Sequence, residues 1–243
     1  MWIVAHENNL KMEQVIVQGQ VPDQFSVFFI SDVHNRRINA KLMQKVGPVD
    51  AVIIGGDFCD RRTSLEKLKS NLQLLKKSGP VYFVWGNNDR EIGEQRLRAI
   101  LKTEGIEVIE NDAVKLQNRS NTTWISAIDD YGTKNSNFQQ ALAKCHAEDV
   151  VLCVSHNPLV FHLAMRYGRP ALFMGGHLHG GQIRFGPFGV HPNGSFKVRH
   201  GVPSLISNGY GTTLVPLRLG AHPEVHLLTI QVEEKQKLPY TIS

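Results

Sequence analysis

The hydrophobic residues of this chain are concentrated in short runs, and each run is followed at once by small or polar residues. Five of these runs are four or five residues long and consist almost entirely of aliphatic and aromatic residues. Apolar runs of this length that end in turn residues are typical of buried strands in a sheet covered on both faces. The five predicted strands occupy residues 27–30, 51–54, 81–85, 150–154 and 171–174.

Helices are predicted between these strands from apolar spacing and from residues that begin or end helices. Leucines at 65, 68, 72 and 75 line one face of a helix that ends before Gly79-Pro80. The sequence before this helix has the form of a capping box, in which the Thr63 hydroxyl accepts the N–H of Glu66. Other helices are predicted at 39–46, 90–102 and 137–145, and one begins at Pro158.

Shorter alternating segments predict further strands. We expect segment 13–17 at the edge of a sheet, and we expect the strands within 106–127 to pair mainly antiparallel. After a Gly- and Pro-rich loop at 180–194, strands are predicted at 204–207, 213–215 and 225–232. A parallel α/β half followed by a β-rich half indicates an α/β (α+β) fold, a four-layer α-β-β-α sandwich of two mixed sheets.

The composition is that of an ordinary globular protein. The 243 residues are 42% hydrophobic and 20% charged, which indicates neither a disordered chain nor an integral membrane protein. The net charge of +5 favours anionic partners such as phosphate esters, lipid headgroups or nucleic acid. Because there is no long basic run or interleaved aromatic stripe, we expect no specific nucleic-acid partner. The oligomeric state is left open.

The N-terminal segment allows two interpretations. Residues 1–5 are apolar and are followed by polar residues, which suits an ordinary N-terminus or the last turn of a membrane helix with Trp2 at the interface. No apolar segment approaches the ~20 residues that span a bilayer. We therefore predict a lead-in and edge strand over residues 1–24, a remnant of an anchor in the second interpretation, and a single domain over 25–243. The protein is expected to be membrane-associated if an anchor precedes these residues and cytoplasmic otherwise.

Each of the five predicted strands runs into residues that can bind a metal ion. In sheets of this type, ligands and chemistry collect beyond the carboxyl ends of the strands. Asp32 and His34 are two residues apart, so an extended backbone directs both to one side, and His177 and His179 repeat this spacing. The candidate ligands are Asp32, His34, Asp57, Asn87, His156, His177 and His179.

The ligand types indicate which metal ions the site prefers. Carboxylate oxygen and imidazole nitrogen together suit Mn²⁺, Fe²⁺ or Zn²⁺ better than Ca²⁺ or Mg²⁺. Seven ligands are too many for one open catalytic ion and indicate two divalent ions that share a bridging carboxylate. Such centres, with ~3.5–4 Å between the ions, bind the attacking and leaving oxygens in phosphoryl transfer. We predict two divalent ions, with Mn²⁺ favoured and Fe or Zn²⁺ as alternatives.

The candidate ligands lie in five ordered motifs, namely Asp32-x-His34, Gly56-Asp57-x-x-Asp60, Gly86-Asn87-Asn88-Asp89, Ser155-His156 and Gly176-His177-x-His179. This order resembles the signature of calcineurin-like metallophosphoesterases over residues 28–180. The tail, with Gly180-Gly181-Gln182 and the segment 208–218, resembles a branch of bacterial membrane-associated phosphodiesterases.

The resemblance implies a division of the ligands between two ions, with Asp57 as the bridge. A carboxylate can serve as the bridge because it has two oxygens, whereas an imidazole offers one nitrogen. By this analogy, one ion is bound by Asp32, His34, Asp57 and His179, and the other by Asp57, Asn87, His156 and His177.

Four residues are predicted to act in catalysis, namely Asp57, Asn87, Asn88 and Asp60. Asp60 is expected to orient a ligand or its loop, with an exposed cap of the next helix as the alternative. At Asn88 the chain departs from the family, whose commonest pattern has a histidine that assists the leaving group. An asparagine donates hydrogen bonds but cannot donate a proton at neutral pH.

The sequence therefore predicts a dinuclear metal-dependent phosphoesterase that cleaves phosphodiester or pyrophosphate bonds by attack of a metal-bridging hydroxide. The expected partners are a phosphodiester-containing substrate, with a lipid-linked one as a hypothesis, and a membrane surface. Two alternatives stay open, a metal-binding scaffold that binds partner proteins and a nucleic-acid phosphodiesterase. Weaker candidates for substrate contacts are Arg36, Arg37, Arg61, Arg62 and Arg90. His191 and His200 are candidates to face the cleft, with ordinary surface histidines as the favoured interpretation.

Overall fold

Two six-stranded sheets form the centre of the fold in the computed structural model, which describes residues 1–235. Short 3₁₀ turns occur at Asp89–Ile92, Tyr131–Thr133, Pro158–Val160 and His179–Gly181. The helices are α1 (Trp2–Ala5), α2 (Ala40–Val46), α3 (Leu65–Lys76), α4 (Glu94–Thr103), α5 (Phe138–Leu142) and α6 (Phe161–Ala164).

The first sheet is mainly parallel and contains the three predicted strands of the N-terminal half. Its strands, in spatial order, are β1 (Asn9–Gly19), β14 (Glu224–Glu234), β2 (Asp23–Ile30), β3 (Ala51–Gly55), β4 (Val81–Val84) and β5 (Glu107–Ile109). Only the β14–β2 pair is antiparallel, so β2, β3 and β4 lie side by side with their carboxyl ends at one edge.

The second sheet is parallel in its centre and antiparallel at both edges. Its spatial order is β12 (Ser195–Arg199), β13 (Val202–Ile206), β9 (Leu172–Gly175), β8 (Val150–Ser155), β7 (Thr123–Ile128) and β6 (Asp112–Lys115). A separate small hairpin, β10 (Arg184–Phe185) and β11 (Phe188–Gly189), lies in the loop after β9. The parallel pairing of β8 with β9 again places two carboxyl ends together.

Three apolar clusters divide the molecule into layers. One cluster lies between the sheets and combines side chains such as Phe29 and Ile53 with Leu152 and Met174. Helices α2, α3 and α4 cover the outer face of the first sheet, and α5 and α6 cover the second. The predicted four-layer sandwich of two mixed sheets is therefore confirmed. The division at residue 24 stays a prediction, and residues 236–243 of the predicted domain lie outside the described part.

Several local predictions were wrong, and each has a physical reason. The helix predicted at 90–102 is interrupted at Gly93, whose φ of 94° belongs to no helix. Segment 213–215 forms a loop, because the Gln182 side chain donates to the carbonyls of Thr213 and Val215. The antiparallel cluster is split between the sheets, since β5 pairs parallel with β4 while β6 and β7 pair antiparallel in the other sheet.

The cap of α3 also differs from the prediction. The Ser64 hydroxyl accepts the Lys67 N–H and caps the helix, one residue later than the predicted cap. Thr63 instead donates its hydroxyl to the carbonyl of His34 at 3.2 Å and so holds the loop after β2. Within residues 1–235, none of the helices combines the length and apolar composition that crossing a membrane requires.

Candidate metal centre

The candidate ligands lie at the carboxyl ends of five strands, on facing edges of the two sheets. The first sheet contributes the carboxylates and one histidine, and the second sheet contributes the other histidines. Because the sheets pack face to face, these loops meet over the shared apolar layer. Asp32 and His34 follow β2, Asp57 follows β3, Asn87 follows β4, His156 follows β8, and His177 and His179 follow β9.

Asp32, His34 and His179 form one buried group. His179 Nε2 lies 3.2 Å from Asp32 Oδ1 and 3.2 Å from His34 Nε2. These three side chains satisfy the spacing that a metal ion requires of its ligands. Asp32 also accepts the backbone N–H of His177, so its carboxylate joins the two sheets.

A second group adjoins the first through Asp57. Asp57 Oδ2 lies 3.3 Å from His156 Nε2 and 3.9 Å from His34 Nε2, so this one oxygen faces both groups. His177 Nδ1 lies 3.3 Å from His156 Nε2 on the solvent side. Asp32, Asp57 and His156 also meet the ligand spacing. The geometry matches that of a carboxylate shared by two ions.

Asn87 is the one predicted ligand that the structure leaves at the margin. Its side chain is exposed, and its amide donates to Asn88 Oδ1 at 3.0 Å. Asn88 joins this pair to the centre, because its backbone N–H donates to Asp57 Oδ1 at 2.7 Å. The remaining six predicted ligands lie together.

The backbone at the centre is strained. Non-glycine residues rarely adopt a positive φ, and each such residue costs about 1–2 kcal/mol. Strain of this kind persists where the surrounding structure enforces it, as at functional sites. The positive φ values at the centre are those of Asp32 (53°), His34 (50°), Asp57 (50°), His177 (71°) and His179 (49°).

Two glycines leave room for the carboxylates. A Cβ atom at Gly176 would collide with Asp32 Oδ2, and one at Gly86 would collide with Asp57 Oδ1. The two carboxylates are therefore packed against backbone with no space for a side chain. Gly86 and Gly176 therefore serve this close approach.

The carboxylates and histidines of the centre shift one another's pKa values. Burial raises the pKa of the Asp32 carboxyl, but His179 and His156 outweigh burial and hold the pKa below its usual range. The pKa of Asp57 is likewise lowered, since His156 and His34 outweigh its burial. Burial lowers the pKa of His156, but Asp57 and Asp32 outweigh it and raise this pKa to about 10. Without metal, a proton on His156 thus offsets the two carboxylates.

The residues fit divalent metal ions. His156 Nδ1 lies 2.9 Å from the Gly55 carbonyl, which can only accept, so Nδ1 carries hydrogen and Nε2 faces the centre as a ligand. Two buried carboxylates and several imidazole nitrogens within 3.2–3.9 Å of one another form a donor set for a cation. A pair of buried anions at this spacing needs such a cation or protons to offset its charge.

Asp60 contacts His34 on the side that faces away from the other ligands, which fits its predicted role of orienting a ligand. Its Oδ2 lies 3.4 Å from His34 Nδ1, the ring nitrogen that faces away from the other ligands. Burial raises the pKa of Asp60, but His34 and Arg62 outweigh it and hold the pKa well below its usual range. The Asp60 carboxylate also binds the Arg62 guanidinium. Asp60 is 4% exposed, which excludes the exposed helix cap that was its alternative interpretation.

Asp89 is a supporting residue to which the sequence assigned no role. Its carboxylate accepts the backbone N–H groups of Asp57, Gly86 and Cys59 at 2.8, 2.8 and 3.0 Å. Burial and the nearby Asp57 raise the pKa of Asp89 to about 7. The residue ties the loop after β3 to the loop after β4. Its place in the Gly86-Asn87-Asn88-Asp89 motif was the available signal.

Arg218 is the second such residue, and it is fully buried. Its guanidinium donates to the carbonyls of Asn208 and Gly211 at 2.7 Å, and to those of His179 and Ala221. Its Nη2 also lies 3.1 Å from His179 Nδ1. Burial lowers the pKa of Arg218 to about 10. Through these hydrogen bonds, Arg218 connects the segment 208–221 to His179.

Most of the candidate arginines and histidines have structural partners. Arg36 stacks on Tyr210, and Arg90 binds Asp129 with two hydrogen bonds. Arg37 pairs with Glu66, and Arg62 pairs with Asp60. Among the five candidate arginines, Arg61 is the one whose guanidinium has no hydrogen-bond partner within residues 1–235. The His191 backbone lies beside Gly181, two residues after His179, and the His191 side chain is exposed. The suggestion that His200 faces the cleft was wrong, because His200 lines a cavity at the amino ends of the strands.

The fold and the buried group of ligands define an α/β protein with a candidate metal centre, and comparison with known proteins identifies its family. The model of the calcineurin-like phosphoesterase family matches residues 25–181. Protein YpbG of Bacillus subtilis strain 168 is 35% identical over 236 residues, 95% of this chain and 90% of its own length. The metallophosphoesterase YkoQ of the same strain is 30% identical over 83% of this chain and 82% of its own length. Phosphodiesterase YaeI of Escherichia coli K12 is 26% identical over 85% of this chain and 82% of its own length.

The chain belongs to the calcineurin-like phosphoesterase family. The predicted family and the predicted class of enzyme, a metal-dependent phosphoric ester hydrolase, are confirmed by these matches. Divalent metal binding follows from the family and from the ligand groups of the structure.

Proposed function

We propose that this chain is a phosphodiesterase that works with two divalent ions and cleaves phosphodiester or pyrophosphate bonds. The observation that carries this proposal is the position of Asp57 Oδ2, which faces His34 in one ligand group and His156 in the other. The similarity of this chain to the phosphodiesterase YaeI supports the same class of substrate.

Each ion would be bound by ligands from both sheets, which explains why the centre lies where the sheets meet. When bound, the ions supply Lewis-acid activation of water and offset charge on the phosphoryl oxygens. The mixed carboxylate and imidazole ligands favour Mn²⁺, with Fe or Zn²⁺ as alternatives. One ion would be bound by Asp32, His34, Asp57 and His179, and the other by Asp57, Asn87, His156 and His177.

Residues next to the ligands hold the ligand side chains and their loops in position. Asp60 orients His34, Asp89 holds the loops of Asp57 and Asn87 together, and Arg218 supports His179. Such supporting contacts typically contribute 10–100-fold to metal affinity or activity. Arg61 follows Asp60 directly and has an exposed guanidinium, which makes it our candidate for binding a phosphoryl oxygen of the substrate.

Asn88 determines which leaving groups the enzyme tolerates. The Asn88 amide donates to Glu91 at 2.7 Å and accepts from Asn87 at 3.0 Å, so it is a fixed hydrogen-bonding group at the mouth of the centre. Because an amide does not supply a proton, the preferred substrates have leaving groups that are stable as anions. Aryl esters and pyrophosphate linkages meet this condition, whereas simple alkyl esters do not.

The test is hydrolysis by protein stripped of metal and then reloaded with Mn²⁺, Fe²⁺ or Zn²⁺ separately. We expect turnover of bis-p-nitrophenyl phosphate that depends on added metal and exceeds turnover of p-nitrophenyl phosphate. A protein that binds two ions but cleaves neither ester would instead be a metal-binding scaffold. Nucleic-acid binding that weakens steeply with salt would support the nucleic-acid phosphodiesterase.

A further inference from the structure

Three exposed apolar segments lie close together on the surface of the described residues. The first is α1, with Trp2 and Ile3. The second is the hairpin formed by β10 and β11, continued by Val190. The third is the loop at 213–215. Their exposed side chains are Trp2, Ile3, Phe185, Phe188, Val190, Leu214 and Val215, which we call the apolar rim.

Backbone contacts join these segments into one surface. The Gln182 amide donates to Thr213 and Val215, which attaches the loop to the chain just before the hairpin. The Arg184 N–H, at the start of the hairpin, donates to the Leu219 carbonyl at 2.8 Å. The Arg218 N–H donates to the Met1 carbonyl at 3.3 Å, which attaches α1 to the same segment.

The apolar rim adjoins the metal centre. Arg218, which lies between α1 and the loop, contacts the carbonyl of His179. Gln182 lies three residues after His179 and follows it through a 3₁₀ turn. The segments that carry the exposed apolar side chains are therefore held by residues that also support a predicted ligand.

The apolar rim combines an unfavourable backbone conformation with large apolar side chains exposed to water. Leu214 is 85% exposed and has a φ of 56°, a left-handed conformation that a leucine rarely adopts. Phe188 and Val190 are 79% and 81% exposed. An apolar surface of several protruding side chains is typical of a contact with a partner or a membrane.

Basic residues border the rim. Arg62 donates to the carbonyls of Thr212 and Leu214, and it lines a cavity of about 200 Å³ together with Arg36 and Ala5 of α1. Segments 35–37 and 60–67 contain five cationic residues against two acidic ones, namely Arg36, Arg37, Arg61, Arg62 and Lys67 against Asp60 and Glu66. An apolar surface with basic surroundings complements an anionic bilayer.

We propose that the apolar rim docks onto the surface of a bilayer that contains anionic lipid. The side chains protrude separately from three thin segments, which suits insertion between lipid headgroups. Trp2, Phe185 and Phe188 are aromatic residues, the type that concentrates at membrane interfaces, as tryptophan does most clearly. Docking would place the metal centre beside lipid phosphate groups. That last step rests on the proposed phosphodiesterase function, whereas docking itself does not.

The test is cosedimentation with vesicles of phosphatidylcholine, with and without phosphatidylglycerol. We expect binding to the mixed vesicles that weakens as salt is added, because salt screens the basic surroundings. Leu214→Ser and Phe188→Ser should each weaken binding about tenfold, as expected for withdrawing one large apolar side chain from lipid. Trp2 fluorescence should shift to shorter wavelength on binding.

Two exposed apolar residues outside the rim provide matched controls. Val198 lies on β12 and Met12 on β1, and they are 69% and 75% exposed. Val198→Ser and Met12→Ser should leave vesicle binding unchanged. The proposal is overturned if the wild type ignores mixed vesicles at low salt, or if the controls weaken binding as much as the rim variants.

A second copy of the chain is the competing occupant. If the wild type dimerises without binding vesicles, and the rim variants abolish the dimer, the rim is a protein interface and the proposal fails. Hydrolysis of bis-p-nitrophenyl phosphate by the same preparations separates the two proposals. A protein that binds vesicles but cleaves no phosphodiester retains the docking surface and loses the proposed function.

Discussion

The two ends of the strand sandwich differ in backbone strain and buried charge. At the carboxyl ends, five predicted ligands have left-handed backbone, and two carboxylates are buried among histidines. At the amino ends lies a cavity of about 670 Å³, whose lining includes the exposed residues Arg169 and His200. Both clusters of three ligating side chains found within residues 1–235 lie at the carboxyl ends.

The comparison shows that the candidate metal ligands coincide with buried charge and left-handed backbone, and not with the cavity at the amino ends. Left-handed residues at the amino ends, such as Asn118 and His200, are exposed turn positions that carry no buried partner charge. The carboxyl ends hold buried carboxylates and left-handed residues, and the buried negative charge needs a cation or a protonated histidine to offset it. Substitutions matched between the two ends test this difference.

The largest effect is expected from removing a ligand. His156→Ala removes a buried imidazole that lies 3.3 Å from Asp57 and should lower kcat/KM by more than about 10²-fold, beyond the loss typical of supporting residues. His200→Ala, at the other end, should stay within about twofold of the wild type. Steady-state kinetics on an aryl phosphodiester measures both. Equal losses would show that the two ends do not differ in function.

The next effect concerns the buried guanidinium. Arg218→Met leaves several buried carbonyls without a donor and should lower the free energy of unfolding by about 3 kcal/mol. Arg169→Met, exposed at the amino ends, should change it by less than about 0.5 kcal/mol. Urea unfolding of metal-free proteins measures both. An Arg218→Met protein as stable as the wild type would remove Arg218 from the support of His179.

A smaller effect is expected from Asn88→His, which restores the residue type that the family pattern has. The new imidazole would lie beside Glu91, whose carboxylate favours the protonated form. Acid assistance to a poor leaving group should raise the alkyl-to-aryl rate ratio by about tenfold, the low end of what a general acid contributes. The gain should disappear as pH rises through the pKa of the new histidine. An unchanged ratio at equal metal content would place proton donation elsewhere, with His191 as the next candidate.

The last effect is a change of stability with pH in the metal-free protein. The pKa of His156 is raised from 6.5 to about 10 in the folded state, so its contribution is full below pH 6.5 and declines between these values. Asp32 and Asp57 have lowered pKa values, so their contributions are lost only as pH falls below their usual range. Unfolding between pH 7 and 9 should show declining stability in the wild type and a flatter curve in His156→Gln. Stability that rises over this window would contradict the charge arrangement.

The strands and the ligands at their ends could be predicted because they depend on local sequence. Buried parallel strands are continuous apolar runs, and the residue after such a strand lies at the edge of the sheet wherever the strand is placed. Strand β2 ends at Ile30, so the position of Asp32 at the edge of the sheet could be predicted without knowing any tertiary contact.

Other features depend on contacts between distant residues and gave no local signal. The Arg218 guanidinium binds carbonyls of Asn208 and His179, and nothing in the sequence around Arg218 indicates these partners. Thr63 and Ser64 are adjacent and equally suited to cap a helix, so the choice between them was decided by the contact of Thr63 with His34. The loop at 213–215 has strand-like composition, but Gln182 binds its carbonyls.

The central claim is that one carboxylate, Asp57, is shared by two ions. Elemental analysis of the wild type and Asp57→Ala, each reloaded with Mn²⁺ and freed of excess metal, tests it most directly. The account predicts two equivalents in the wild type and loss of both ions and of activity in Asp57→Ala, since Asp57 Oδ2 faces both ligand groups. His200→Ala serves as the control and should retain two equivalents. An Asp57→Ala protein that still binds two ions and cleaves phosphodiesters would contradict the shared carboxylate.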